Sequence, residues 1–194
     1  SGASARDMLI ALTQIAWIFL GIVAIMLVTG EWSQRSILTT FSLEPRRGRV
    51  LTAKAAAIVL LSAVVFALIV ALAYVSAATG GESTHGFGAA VQGSALELLT
   101  RVALAFAFAM LLLSTPAAIS LFFVLPEIAV PLVLGLTGTF DSAAEWVVPR
   151  VTNLAFFEGG VEGSDWAQLS VILMLWVVLP GVLGTLRVLT SEVK

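Results

Sequence analysis

Five long apolar segments are the feature that most restricts how this chain can fold. The first reads MLIALTQIAWIFLGIVAIMLVT, from Met8 to Thr29, and four more follow at about residues 50–78, 95–114, 116–136 and 167–188. An α-helix needs roughly 20 apolar residues to cross about 30 Å of hydrocarbon, whereas a barrel strand needs only about 10. The segments therefore predict an all-α membrane protein with five transmembrane helices in one domain, residues 1–194.

Composition supports this prediction. Hydrophobic residues make up 59% of the chain and charged residues only 11%, against about a quarter in soluble domains. The chain has no cysteine, which excludes disulfides and thiolate metal sites. No signal peptide is recognisable after Ser1.

The polar connections divide the five spans. The Gly-rich residues 79–94 read as a loop, and Ser114-Thr115-Pro116 permits only a tight turn. Glu97 and Arg101, four residues apart, are expected to form an ion pair on the first turns of the third span, at the membrane interface. Residues 137–166 mix acids with aromatic residues, which predicts a partly helical or re-entrant segment at the outer interface.

Basic residues give the orientation, because loops on the cytoplasmic side carry an excess of Lys and Arg. Five of the ten Lys and Arg residues fall within residues 30–54. This connection, the tight turn and the C-terminus are therefore predicted to be cytoplasmic. Ser1 then lies outside, and for that reason we expect a sixth helix upstream of the sequence given.

A short amphipathic helix is predicted inside the basic connection, from Ser33 to Leu43. Ile37, Leu38 and Phe41 share one face of it, Ser33 is a candidate N-cap, and Pro45 would end it. Such a helix could lie on anionic lipid, or it could dock on a cytoplasmic partner. It could also be an ordinary loop.

The pattern TGEW…S-I-x-T-T…P-R-R-x-R-x-x-x-A-K, set between two spans, resembles the permease subunits of ABC-2 type ATP-binding cassette exporters. The resemblance covers most of the chain, and the family has six spans. In that family the segment between the second and third spans contains a coupling helix that contacts a separate nucleotide-binding subunit. The resemblance thus implies a coupling segment at residues 30–49 of this chain.

Helical periodicity, the charge distribution and the resemblance together give two groups of candidate residues. A set expected to contact the ATPase subunit consists of Glu31, Trp32, Arg35, Ser36, Ile37, Leu38 and Phe41. A basic set expected to anchor the topology at the cytoplasmic face consists of Arg46, Arg47, Arg49 and Lys54.

The resemblance also implies the partners. These are a cytoplasmic ABC ATPase that binds ATP and Mg, and a second permease subunit, identical or different. Membrane lipid surrounds the assembly, which sits in the bacterial cell membrane, and no nucleic acid is involved. The cargo would be an amphipathic drug, antibiotic or lipid.

Catalytic motifs are absent from the sequence. It contains no G-x-x-x-x-G-K-[ST] phosphate loop, so we expect no ATP hydrolysis and no enzyme activity in this chain alone. His85, with Glu82 nearby, offers too few ligands for a metal site, so no metal and no cofactor are expected in this chain.

Glu127 lies near the middle of the fourth span, where a carboxylate must be protonated, paired or turned toward a wet cavity. One hypothesis makes it a residue of a translocation path or a dimer interface. The other makes it a carboxyl group bonded to backbone carbonyls that Pro126 and Pro131 leave free. Two rival functions remain open: a proton-coupled secondary transporter that uses Glu127, and a membrane immunity or assembly factor without transport activity.

Overall fold

The structure is a computed structural model of the chain, and it describes residues 4–33, 47–80, 84–150, 156–157, 161 and 163–190. Five helices in these ranges are long and apolar enough to cross a membrane. The prediction of an all-α membrane protein with five such helices is confirmed to that extent.

The first three spans are continuous α-helices. Helix α1 is Ala5–Ser33, α2 is Arg47–Gly80 and α3 is Phe87–Leu112. Helix α4 begins as Thr115–Val124, passes through a π-helical turn at Leu125–Ala129 and continues as Val130–Thr137.

The remaining helices follow the fourth span. The short helix α5 is Phe140–Val147. Helix α6 begins as Gly163–Leu173, contains a second π turn at Met174–Val178 and ends as Leu179–Thr190. The predicted partly helical character of residues 137–166 is thus confirmed for α5.

The third span starts earlier than residue 95, where the sequence predicts it, so this boundary of the prediction is wrong. Helix α3 begins at Phe87, directly after Gly86, whose φ of 73° is in the left-handed region. Gly93 lies against Phe157, where an added Cβ would be 2.9 Å from the Phe157 backbone nitrogen. This close packing outweighs the low helix propensity of glycine, so residues 87–94 are helical and not loop.

The first span also extends further than predicted. Helix α1 continues through Gly30 to Ser33, so Gly30 lies inside the helix and Ser33 is its last residue. The tight turn at Ser114 is confirmed, because Leu113 adopts φ 53° and Ser114 is extended before the first turn of α4.

Helix α3 is the centre of the bundle. Of its most apolar stretch, 61% is buried, against 17% in α2 and 17% in α4. Most of its buried apolar side chains share one core with residues of the other spans, which includes Trp17, Phe108, Phe122 and Trp176. The outer helices leave large apolar side chains exposed, as helices in contact with lipid do.

Hydrogen bonds show which connections share an end of the bundle. At one end the hydroxyl groups of Thr29 and Thr115 are 2.7 Å apart, and Arg187 donates to the Leu111 carbonyl oxygen at 2.5 Å. We call this the basic end, because α2 also starts there with Arg47. The predicted grouping of the connection after α1, the tight turn and the end of α6 is therefore confirmed. Its assignment to the cytoplasm stays a prediction.

The opposite end carries the other connections. There Ser76 donates to the Met8 sulfur at 3.2 Å, and Arg6 donates to the Phe157 carbonyl oxygen at 3.4 Å. Asp141 and Asp165 lie in the first turns of α5 and α6 at this end, which we call the acidic end.

Candidate functional site: a buried charged cluster at mid-span

Four polar side chains meet near the middle of three spans. Gln14 belongs to α1, Glu97 and Arg101 to α3, and Glu127 to the π turn of α4. Arg101 and Glu97 are each 1% exposed. We call Gln14, Glu97, Arg101 and Glu127 the charged cluster.

Arg101 is the centre of the charged cluster. Its Nη1 donates to Glu127 Oε1, and its Nη2 lies 3.8 Å from Glu97 Oε1. The guanidinium carbon lies 4.8 Å from the centroid of the Trp17 ring, a cation–π contact. One cation therefore joins α3 to α4 and stacks on α1.

Gln14 completes the cluster from α1. Its Nε2 donates to Glu97 Oε2 at 2.7 Å, and its Oε1 accepts from Trp17 Nε1 at 3.1 Å. Because the indole N–H can only donate, it fixes which amide atom of Gln14 faces Glu97. Glu97 thus receives its direct hydrogen bond from another helix and not from Arg101.

Aromatic rings pack beside Arg101, on the Trp17 side of the cluster. Trp17 packs edge-on against Phe122 with ring centroids 5.8 Å apart, and Phe123 lies 5.9 Å from Trp17. Gly21 permits this arrangement, because a Cβ there would lie 2.6 Å from the Phe122 ring. Electrostatic attraction beside these apolar rings is stronger than in water.

The π turn of α4 presents Glu127. It ends two residues before Pro131, whose missing N–H leaves the Glu127 carbonyl without its usual helical partner. The wider turn is closed instead by the Val130 N–H, which donates to the Leu125 carbonyl oxygen. The π turn of α6 likewise ends two residues before a proline, Pro180. Prolines therefore explain both turns, and π turns are frequent at functional sites.

The structure decides how Glu127 is satisfied. Of the three options for a mid-span carboxylate, pairing is the one observed, and the partner is Arg101. The alternative of a carboxyl group bonded only to freed backbone carbonyls is wrong. A functional role for Glu127 stays a prediction.

The expected interfacial pair of Glu97 and Arg101 also needs correction. The two charges do approach each other, but both are buried, because α3 starts eight residues earlier than predicted and carries them to mid-span. The pairing of Arg101 with Glu127 and the contacts of Gln14 and Trp17 are not predicted from the sequence.

One sequence signal could have revealed the pair. Arg101 lies 13 residues before Ser114 and Glu127 lies 13 residues after it. A tight turn makes the two flanking helices antiparallel neighbours, so residues at equal distances from it lie at the same depth.

The predicted contacts with an ATPase lie mostly outside the described residues. The contact residues outside these ranges are Arg35, Ser36, Ile37, Leu38 and Phe41. Arg46, which is predicted to anchor the topology, also lies outside the described residues. Glu31 and Trp32 belong to the last turn of α1, and Arg47, Arg49 and Lys54 to the first turns of α2.

A metal centre is not found within the described ranges, where no three His, Asp or Glu side chains are grouped closely enough to hold an ion. His85 is exposed in the turn before α3, and Glu82 falls outside the described residues.

Comparisons of the chain with protein-family profiles, with curated proteins and with solved structures gave no match. The class that fold and site support is therefore a multi-pass, all-helical membrane protein with a charged cluster at mid-span.

Proposed function

We propose that the chain is the permease subunit of an ABC-2 type exporter, located in a bacterial cell membrane with its basic end in the cytoplasm. It would work with a second permease subunit and a separate ATPase, and it would move an amphipathic drug, antibiotic or lipid. The observation that carries the proposal is the exporter-like segment at residues 30–54, which connects two antiparallel spans at the basic end of the bundle.

Helix α1 gives this proposal a mechanical path. It is continuous from Gln14 to Ser33, which is about 28 Å at 1.5 Å per residue. If an ATPase displaced the segment after Ser33, α1 would move as a rigid body. About 28 Å from Ser33, Gln14 and Trp17 of this helix contact Glu97 and Arg101.

The charged cluster would then pass the displacement onward. Arg101 of α3 pairs with Glu127 of α4. If α3 moves relative to α4, either this ion pair breaks or the two side chains move together. Rigid-body motion of packed helices between two arrangements is a common way to switch a membrane protein between states.

The proposal is tested by purifying the chain together with the ATPase encoded nearest to it. Ile37→Asp and Phe41→Asp should each abolish co-purification, because they place charge on the apolar face of the predicted coupling helix. Thr39→Asp is the matched control, since Thr39 falls on the opposite side of that helix by periodicity. Co-purification that survives both substitutions would contradict the proposed contact.

A second candidate, the proton-coupled secondary transporter, is favoured by one observation, the ionisable cluster at mid-span. Efflux of a fluorescent amphipathic dye separates the two. Vanadate should stop an ATP-driven exporter, whereas an uncoupler that stops efflux while vanadate does not would favour the second candidate. No efflux of any dye in a panel would point to an immunity or assembly factor.

A further inference from the structure

A half-enclosed apolar groove of about 430 Å³ runs between α2, α3 and α6. Helix α3 lines it from Leu96 to Met110, and α6 lines it from Leu169 to Gly181. At 1.5 Å per residue, the α3 face is about 21 Å long. The groove is therefore long and narrow, and it follows the helix axes.

The dimensions indicate what could fill the groove. A volume of about 430 Å³ that follows three helices over about 21 Å is an elongated apolar space, the shape of an extended hydrocarbon chain. The length is somewhat more than half of the roughly 30 Å hydrocarbon thickness, so a chain from one leaflet fits.

The lining excludes water as a favourable occupant. Thr100 is the one side chain with a hydroxyl group among the described residues that line the groove, and the others are apolar residues or glycine. A buried water needs two to four polar partners.

Charge distinguishes the two ends of the groove. Ala55 of α2 lines it near the basic end, directly after Lys54, and Arg49 precedes Ala55 by about 9 Å along the helix. Arg187 follows Gly181 by a similar distance on α6. Toward the other end, Asp165 lies one turn before Leu169. An anionic headgroup is therefore attracted at the basic end and repelled at the acidic end.

We propose that this groove binds one acyl chain of an anionic phospholipid whose headgroup lies at the basic end, the end of the bundle that carries Arg49, Lys54 and Arg187. The bound lipid fills the space between α2 and α6 that no side chain of the described residues fills. This proposal does not depend on the exporter function.

Native mass spectrometry of the full chain tests the proposal. The detergent-purified protein is incubated with equal amounts of phosphatidylglycerol and phosphatidylcholine that carry identical acyl chains. We expect one retained phospholipid per chain, enriched in phosphatidylglycerol about fivefold for each Lys or Arg that faces the headgroup.

Two substitutions fill the groove from different helices, Ala103→Phe from α3 and Leu173→Trp from α6. Both should lose the retained lipid, and the second keeps the test valid if the first fails to fold. Ala67→Phe adds the same ring to an exposed position of α2 outside the groove, so it should keep the lipid. Lys54→Gln should keep a lipid but lower the preference for phosphatidylglycerol about fivefold.

Several results would overturn the proposal. These are a wild-type protein that retains no phospholipid, equal retention after Ala103→Phe and Leu173→Trp, and a preference for phosphatidylglycerol that Lys54→Gln leaves unchanged. A second copy of the chain held in place of lipid, and lost in both groove variants, would assign the groove to a protein interface instead.

Discussion

Replacing Arg101 by Gln should lower the free energy of unfolding by about 3–5 kcal/mol, the usual cost of removing one partner of a buried ion pair. The structure supports the full range, because Arg101 is 1% exposed and is the cation between two carboxylates. The substitution also removes the cation–π contact with Trp17, worth about 0.5–2 kcal/mol.

Replacing Glu127 by Gln should cost less, about 1.5–3 kcal/mol, the range for a hydrogen bond to a charged group. The side chain of Glu127 is 20% exposed, so it is less tightly enclosed by protein than Arg101. Arg101 also keeps a second carboxylate, Glu97, at 3.8 Å. The observed geometry therefore predicts that Arg101→Gln lowers the free energy of unfolding more than Glu127→Gln does.

The assay is reversible unfolding by SDS in mixed micelles, followed by far-ultraviolet circular dichroism. The double variant Arg101→Gln/Glu127→Gln should cost less than the sum of the single variants by at least about 1 kcal/mol, since directly contacting groups are coupled. Asp141→Asn, at an exposed carboxylate in the first turn of α5, should stay within about 0.5 kcal/mol of wild type. Additive effects of the two cluster substitutions would refute the buried pair.

The other predictions concern backbone packing and the π turns. Gly184→Ala should cost about 1–3 kcal/mol by the same assay, because its Cβ would lie 2.7 Å from the Leu111 backbone nitrogen, whereas Gly135→Ala, with open space around it, should cost nothing. Trp176→Phe should cost about 1 kcal/mol, because it removes a 2.8 Å hydrogen bond to the carbonyl at the end of α5. Pro131→Ala restores a backbone N–H and should close the π turn into regular helix. Glu127 then rotates away from Arg101. The coupling energy between the substitutions at these two residues should therefore fall to less than half.

Hydropathy predicted the number and order of the spans, because crossing a bilayer requires long apolar runs whatever the tertiary packing. It failed at residues 87–94, where glycines read as a loop. Gly93 is helical because Phe157 of a distant segment packs against it, and local propensity contains no information about that contact.

The charged cluster was predicted only in part, for a related reason. Glu97 and Arg101 are four residues apart on one helix, so the sequence suggests that they neutralise each other. Nothing in this spacing indicates that Arg101 also pairs with a carboxylate of another helix. The sequence identifies Glu127 as a mid-span carboxylate that needs a partner. Its pairing with Arg101 depends on how α3 and α4 pack on either side of the turn at Ser114, and the π turn that aims it is a consequence of Pro131.

The two π turns divide the bundle into a stiff part and a part that can bend. Helices α1, α2 and α3 are α-helical throughout their bounds, whereas α4 and α6 are each interrupted near their middle, where kinks concentrate. A conformational change that preserves the first three helices would therefore bend α4 and α6 at these turns. Because Glu127 belongs to the π turn of α4, such bending must alter its contact with Arg101, which is held by the stiff part. The mid-span ion pair is thus placed where it can oppose or report the bending of α4, a role that a purely structural pair between two stiff helices would not have.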